Sequence, residues 1–158
     1  MAEYSANALQ NVLPNQPIIF TESPVPCTAG LIYHRDESGI FRLANTVNGC
    51  ATPSWYGCCC GAPESMYQVA FHANVAIPEG GTVEAISLAI AIDGEIDPSS
   101  TMIVTPAAAE DFWNVGAEII VAVPSICRCS SISVRNTSTQ AINVQNANII
   151  FAYNGIKR

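Results

Sequence analysis

YQVAFHANVAIPEGGTVEAISLAIAIDGE, residues 67–95, decides the fold class. Tyr67, Val69, Phe71, Ala73, Val75 and Ile77 fall on one face of an extended strand, and Gln68, His72 and Asn74 on the other. After Pro78-Glu79-Gly80-Gly81 the apolar series resumes at Ile86, Leu88, Ile90 and Ile92. Side chains of a strand alternate between its faces, so each half reads as a strand with one buried face. Joined by a Pro/Gly turn, the two halves are predicted to form a β-hairpin.

Working outward, every readable segment from Gln16 onward has the same character. Residues 17–21 give a first strand. Residues 30–34 and 39–43 form a predicted hairpin across Arg35-Asp36-Glu37-Ser38, with Gly39 supplying the turn conformation. Residues 45–65 are rich in Gly, Cys, Pro, Asn and Ser and read as a long loop. Past the turn Asp97-Pro98-Ser99-Ser100 come strands at 101–105, 112–115 and 119–123. Residues 131–136 place Ile132 and Val134 inward, and residues 141–153 close the domain. The apolar phase in that last strand moves from Ile142 and Val144 to Ile149, Phe151 and Tyr153, which predicts a bulge near Asn146. Nine or ten strands without a core helix argue for an all-β antiparallel two-sheet sandwich of jelly-roll type, with an eight-stranded closed barrel as the alternative. Residues 1–14 stand apart: Tyr4, Ala8, Leu9 and Val12 have loose helical spacing that Pro14 stops. They read as a tail or a short anchor before a single domain at 15–158.

Composition narrows the function. Of 158 residues, 49% are hydrophobic and 12% charged, against about 25% charged in ordinary soluble domains. So few charges on a strand-rich chain imply a surface covered by other copies, and an oligomer is expected. The net charge of −7, from 13 acidic and 6 basic side chains, leaves no basic stripe for phosphates. Nucleic acid and anionic membranes are therefore not expected partners. No secretory signal and no apolar run of spanning length is visible.

Seven cysteines (Cys27, Cys50, Cys58, Cys59, Cys60, Cys127 and Cys129) suit a product made in a cytoplasm and then exposed outside the cell. Disulfides, buried thiols and a metal site are the three readings, and the odd count leaves one thiol free or paired across subunits. Cys127 and Cys129 lie on the same face of an extended segment, a better geometry for a shared ion than Cys58-Cys59-Cys60, whose neighbouring side chains point to opposite sides. A disulfide from Cys127 or Cys129 to the 50–60 loop is the leading expectation. The cysteines with His34 and His72 are the only candidate metal set, but they lack the paired spacing of structural zinc sites. Asp93, Glu95 and Asp97 lack the calcium-loop pattern. Glu110-Asp111 shows no sign of a cleft, and there is neither a GxSxG nor a glycine-rich phosphate loop. No catalytic residue, metal or cofactor is expected. Asn136-Thr137-Ser138 fits a glycosylation sequon. Trp55 and Tyr56 are candidate surface-binding aromatics, or a lid over the end of the sandwich.

The strings ANVAIPEGGTVEAISLAIAIDGE, MIVTPAAAEDFWNV and ISVRNTSTQAINVQNANIIF resemble a family of small proteins encoded by phages and prophages of gut Firmicutes. The resemblance spans residues 12–153. It implies a trimeric jelly roll like tumour-necrosis-factor and complement-head domains, without enzymatic chemistry. Cysteine pairs near Cys27, in the 50–60 loop and at Cys127 and Cys129 recur in such chains, whereas Cys58-Cys59-Cys60 is a departure. Tyr67, Phe71, Phe151 and Tyr153 are candidates for the trimer face, with the ordinary domain core as the competing reading. The expected function is structural and binding: a homotrimer on a virion surface, as head fibre, decoration or adhesion component. Its N-terminus would meet phage capsid or tail proteins, and its distal loops a host-surface glycan or protein. A bacterial cell- or spore-surface recognition domain is the alternative, and a carbohydrate-active enzyme a more distant one.

Overall fold

A computed structural model describes residues 1–35, 37–45, 64–124 and 129–157. Twelve strands among the described residues form two antiparallel sheets with an apolar core between them. Among the described residues there is no α-helix, and hence none long and apolar enough to cross a membrane. The first sheet contains β1 (Ala2–Ala6), β2 (Gln10–Val12), β3 (Glu22–Val25), β6 (Glu64–Ala76), β10 (Trp113–Val123) and β12 (Ile142–Lys157). Its order is β10-β6-β12-β1-β3, with β2 also on β12. The second contains β4 (Ile32–His34), β5 (Phe41–Leu43), β7 (Ile86–Ile92), β8 (Glu95–Ile96), β9 (Met102–Val104) and β11 (Ser130–Asn136). Its order is β4-β5-β11-β7-β8, with β9 also on β7. The two-sheet jelly roll is therefore the correct architecture rather than the closed barrel.

The deciding stretch is two strands, but not a hairpin. β6 pairs with β10 and β12, whereas β7 pairs with β11, β8 and β9 in the opposite sheet. Residues 78–85 carry the chain across the sandwich between Ile77 and Ile86, both buried. Period-two alternation reports which face of a strand is buried, and the inner faces of both sheets give the same signal. It carries no information on which strand is the neighbour.

The amino-terminal segment departs further from expectation. Residues 2–6 are neither tail nor helix: β1 lies between β12 and β3, in register from Ala2↔Phe151 to Ala6↔Ala147. Ala2, Tyr4 and Ala6 alternate into the core. Alanine is compatible with either periodicity, so small residues on both sides of Tyr4 hid the strand. Residues 17–21 are not a regular strand either. Ile18 and Phe20 are fully buried, and the segment crosses between sheets with bridges at Pro17↔Arg135 and Phe20↔Ser38.

The β4–β5 hairpin forms as predicted, with Ile32 opposite Leu43 and His34 opposite Phe41. Its left-handed residue is Glu37 (φ 58°) rather than Gly39. Gly39 serves close approach instead, since a Cβ there would lie 2.4 Å from the Ile18 carbonyl oxygen. The bulge in β12 is where the phase shift placed it: Asn146 has φ 52°, and the pairing with β6 slips between Gln145 and Asn148.

A cluster of rings joins the sheets. Phe41 packs 4.8 Å from Phe151, 4.9 Å from Tyr4, 5.3 Å from Phe20 and 4.4 Å from the stacked imidazole of His34. Phe41→Ala should therefore destabilise the fold by about 3–5 kcal/mol, read as a lower denaturant midpoint at unchanged slope, with Phe41→Leu losing much less.

Candidate functional site

The residues expected at a trimer face lie mostly in the core. Tyr67, Phe71 and Phe151 have no exposed surface within the single chain, so they are not available to another copy. Tyr153 is half-buried and packs against Tyr67 at 5.5 Å. The large aromatics occupy the inward positions of β6 and β12, and any association surface must use the alternate positions. The Tyr67 hydroxyl donates to the Ala44 carbonyl. Its pKa is pushed up to about 12, by burial first and then by neighbouring Tyr153 and Cys27.

Of the other candidates, Trp55, Tyr56, Cys50, Cys58, Cys59, Cys60 and Cys127 lie outside the described residues. Cys27 is a free thiol packed against the core, not a disulfide partner as expected. Cys129 is held in a disulfide, and no disulfide joins two described residues. His34 is structural: Nε2 donates to the Ser38 carbonyl at 2.9 Å while the ring stacks on Phe41. The acidic turn is structural too. Asp93 Oδ1 accepts from the Ser131 amide at 2.7 Å, and Asp97 Oδ1 caps the 3₁₀ turn Pro98–Ser100. Asn136 of the sequon is fully buried, with Nδ2 donating to the carbonyls of Val12 and Gln140, which leaves no amide for a glycan. Among the described residues no group of three or more His, Cys, Asp or Glu side chains could hold a metal ion.

The candidate functional surface is instead the outer face of the first sheet. Pairing registers set its side chains in rows across β10, β6, β12 and β1. One row is Ile120–Gln68–Ala152, the next Glu118–Ala70–Ile150–Glu3, and the next Gly116–His72–Asn148–Ser5. Met66 and Ala122 extend it at one end. Both central carboxylates are already engaged by neutral donors, Glu118 by Gln68 Nε2 and Glu3 by Asn148 Nδ2, each at 2.6 Å. Among the described residues these four strands carry no cation before Lys157 at the end of β12. Gly116 keeps the centre flat: a Cβ there would lie 2.5 Å from His72 Nδ1, so the imidazole lies across the bare backbone of β10. No sequence signal had singled out Gly116, Ile120 or Ile150. The outward positions of three neighbouring strands become one surface only when the strand order is known.

No protein-family model matches the sequence, and none of the curated proteins matches it. Similarity appears among solved structures. The tumour-necrosis-factor protein Eiger of S. frugiperda superposes with a TM-score of 0.59 at 10% identity, over 96% of this chain and 90% of that one. The C-terminal domain of EclA, a sugar-binding protein, gives 0.39 at 12% identity over 92% and 79%. A family 35 carbohydrate-binding module from Clostridium thermocellum gives 0.35 at 12% identity over 94% and 91%.

The Tyr67 phenol yields a pH prediction. A pKa raised on folding favours the neutral phenol in the native state, so its contribution is intact below the unfolded value near 10 and is lost as pH rises toward 12. Stability should fall across that window, and Tyr67→Phe should flatten the fall, measured by denaturant unfolding at fixed pH values from 9 to 12 (on the order of one value per half unit). The chain thus has the tumour-necrosis-factor-like jelly-roll fold, with a nearly uncharged outer face on one of its two sheets.

Proposed function

We propose that the chain is a non-catalytic binding domain that works as a homotrimer, packed through the outer face of the first sheet and mounted on the surface of a phage particle. The observation that carries the trimer is the contrast between the two sheets. The outer face of β10-β6-β12-β1 has no cation among the described residues before Lys157 at the end of β12, with Ile120 54% exposed and Ile150 and Met66 beside alanines. The outer face of the second sheet carries Tyr33, Arg42 and Arg135. The charges there are few, and Glu3 and Glu118 are each already hydrogen-bonded to a neighbouring amide, which limits the desolvation cost when copies meet.

The reading of an external particle location draws on the family resemblance and on the net charge of −7, which suits a surface away from packaged DNA. The amino terminus does not serve as a free anchor in this proposal, because β1 is an interior strand of the sheet. Attachment falls to other surface, and the second sheet is left for ligand.

Light scattering on the purified chain should give three times the chain mass of 16.7 kDa. Ala70→Glu and Ile150→Glu should each yield folded monomer, because the new carboxylate stands beside Glu118 or Glu3 without a cation, and an unpaired buried charge costs roughly 3–5 kcal/mol. A monodisperse wild-type monomer at micromolar concentration would overturn the trimer. Immunogold labelling of purified particles tests the location, and its absence from intact virions would remove the phage assignment while leaving the trimer standing.

A further inference from the structure

A shallow pocket of about 430 Å³ opens beside the β4–β5 hairpin, lined by Tyr33, Arg35, Ser38, Ile40 and Arg42. The hairpin itself brings these side chains together. Tyr33 and Arg42 are direct cross-strand partners on the outward side, opposite the inward set Ile32, Phe41 and Leu43. Arg35 and Ser38 flank the turn, which the Ser38 amide closes on the Arg35 carbonyl at 3.1 Å. The Ser38 carbonyl is then held from two directions, by His34 Nε2 at 2.9 Å and by the Phe20 amide at 3.2 Å. Since His34 stacks on Phe41 and Phe20 packs edge-on against it, the pocket floor is fastened to the aromatic core. A site on such a backing holds its shape without a ligand.

The chemistry of the lining is specific. Two of the chain's six cations meet here although the molecule carries −7 overall. Neither guanidinium has a hydrogen-bond or ion-pair partner among the described residues. The carboxylate of Asp93, beyond Ser131 on the neighbouring strand, is occupied by the Ser131 amide and hydroxyl. Glu37 in the turn is exposed and does not line the pocket. Beside the two cations stand Tyr33, 63% exposed in mid-strand, and Ile40, 47% exposed. A bare anion would satisfy the arginines and leave this aromatic and aliphatic surface wet. A neutral sugar would cover the ring and leave the two positive charges unmatched.

We propose that this pocket binds a saccharide bearing a carboxylate, a uronic or sialic acid residue. Arg35 and Arg42 take the carboxylate, for which the planar guanidinium fork is suited. Tyr33 and Ile40 take the C–H face of the pyranose ring, as amphipathic aromatics do in mixed polar and apolar sites. The site rests on the recognition role proposed above and supplies its ligand class.

The test is titration of the full chain, followed by backbone amide NMR and calorimetry. The probes are digalacturonate and sialyllactose, set against lactose, sodium acetate and an aspartate-rich peptide. One or both acidic saccharides should bind in roughly the 0.1–1 mM range, about 5 kcal/mol, with shifts centred on residues 33–42. Arg42→Ala, Arg35→Ala and Tyr33→Ala should each weaken binding roughly tenfold or more, and Arg42→Lys should restore only part of it. All four side-chain changes lie at exposed positions, so unfolding midpoints should stay close to wild type. No response to either acidic saccharide would overturn the proposal. So would an equal response to acetate, which marks a simple anion site, or to the peptide, which marks a protein ligand. Binding that survives Arg42→Ala and Tyr33→Ala places the ligand elsewhere and also defeats it. Light scattering on the same samples keeps failure of this site separate from failure of the trimer.

Discussion

Contact between Phe41 and the rings around it is the constraint on which the rest of the structure depends. Phe41 belongs to the second sheet, Tyr4 and Phe151 to the first, and Phe20 to the segment that crosses between them. One side chain therefore ties together the amino-terminal strand, the carboxy-terminal strand and the short β4–β5 hairpin. A three-residue strand pair has little stability of its own in water. Its order comes from this burial and from β11, on which β5 docks through Ser130, Ser131 and Ile132. The imidazole of His34 extends the same cluster to the turn by stacking on Phe41 and donating to the Ser38 carbonyl. Core packing and the shape of the hairpin's outer surface are in this way one problem rather than two.

The first sheet shows the other consequence of strand alternation. β6 spends its inward positions on Tyr67, Val69, Phe71, Ala73 and Val75, all fully or almost fully buried. Its outward positions are then Glu64, Met66, Gln68, Ala70, His72 and Asn74, with the one carboxylate at the very start of the strand. β10 places Val115, Ile119, Val121 and Val123 inside and Gly116, Glu118, Ile120 and Ala122 outside, with Glu118 the one carboxylate of the strand. Low charge across the whole sequence thus resolves into one particular face. The aromatic residues that first suggest association are the ones the core has already consumed.

Fold class could be read from the sequence because it depends on local signals. Alternation marked β6, β7, β11 and β12, turn residues marked the β4–β5 connection, and the slip from Val144 to Ile149 marked the bulge at Asn146. Strand partnership could not be read, since the inner faces of two packed sheets look alike in one dimension, and β6 and β7 were consequently joined in a hairpin they do not make. β1 was hidden by its alanines. The association face was misplaced for a related reason: large aromatics on a strand signal burial, and burial in a core is indistinguishable from burial between copies until the second sheet is placed. The pocket left a faint signal that went unused. Tyr33 and Arg42 are the polar-side residues of a hairpin whose other side is Ile32, Phe41 and Leu43.

Placement of the two surfaces on opposite sheets has a quantitative consequence. A shallow, half-open pocket with one aromatic and two arginines buries only part of a sugar, and its single-site affinity belongs at the weak end of the scale. Copies packed through the first sheet would turn every second sheet away from the shared axis, so each hairpin would remain open to solvent. Three weak sites on one rigid body engage a repeating acidic polysaccharide together, and linkage of this kind raises apparent affinity by about 10²–10⁴ without any new contact. The gain exists only for a ligand that repeats at a spacing the three pockets can span. A domain built this way would ignore isolated sugars in solution and hold to a surface that displays them densely. In that arrangement the outer face of the first sheet and the arginine pocket act as one device, the first supplying the valency that the second lacks.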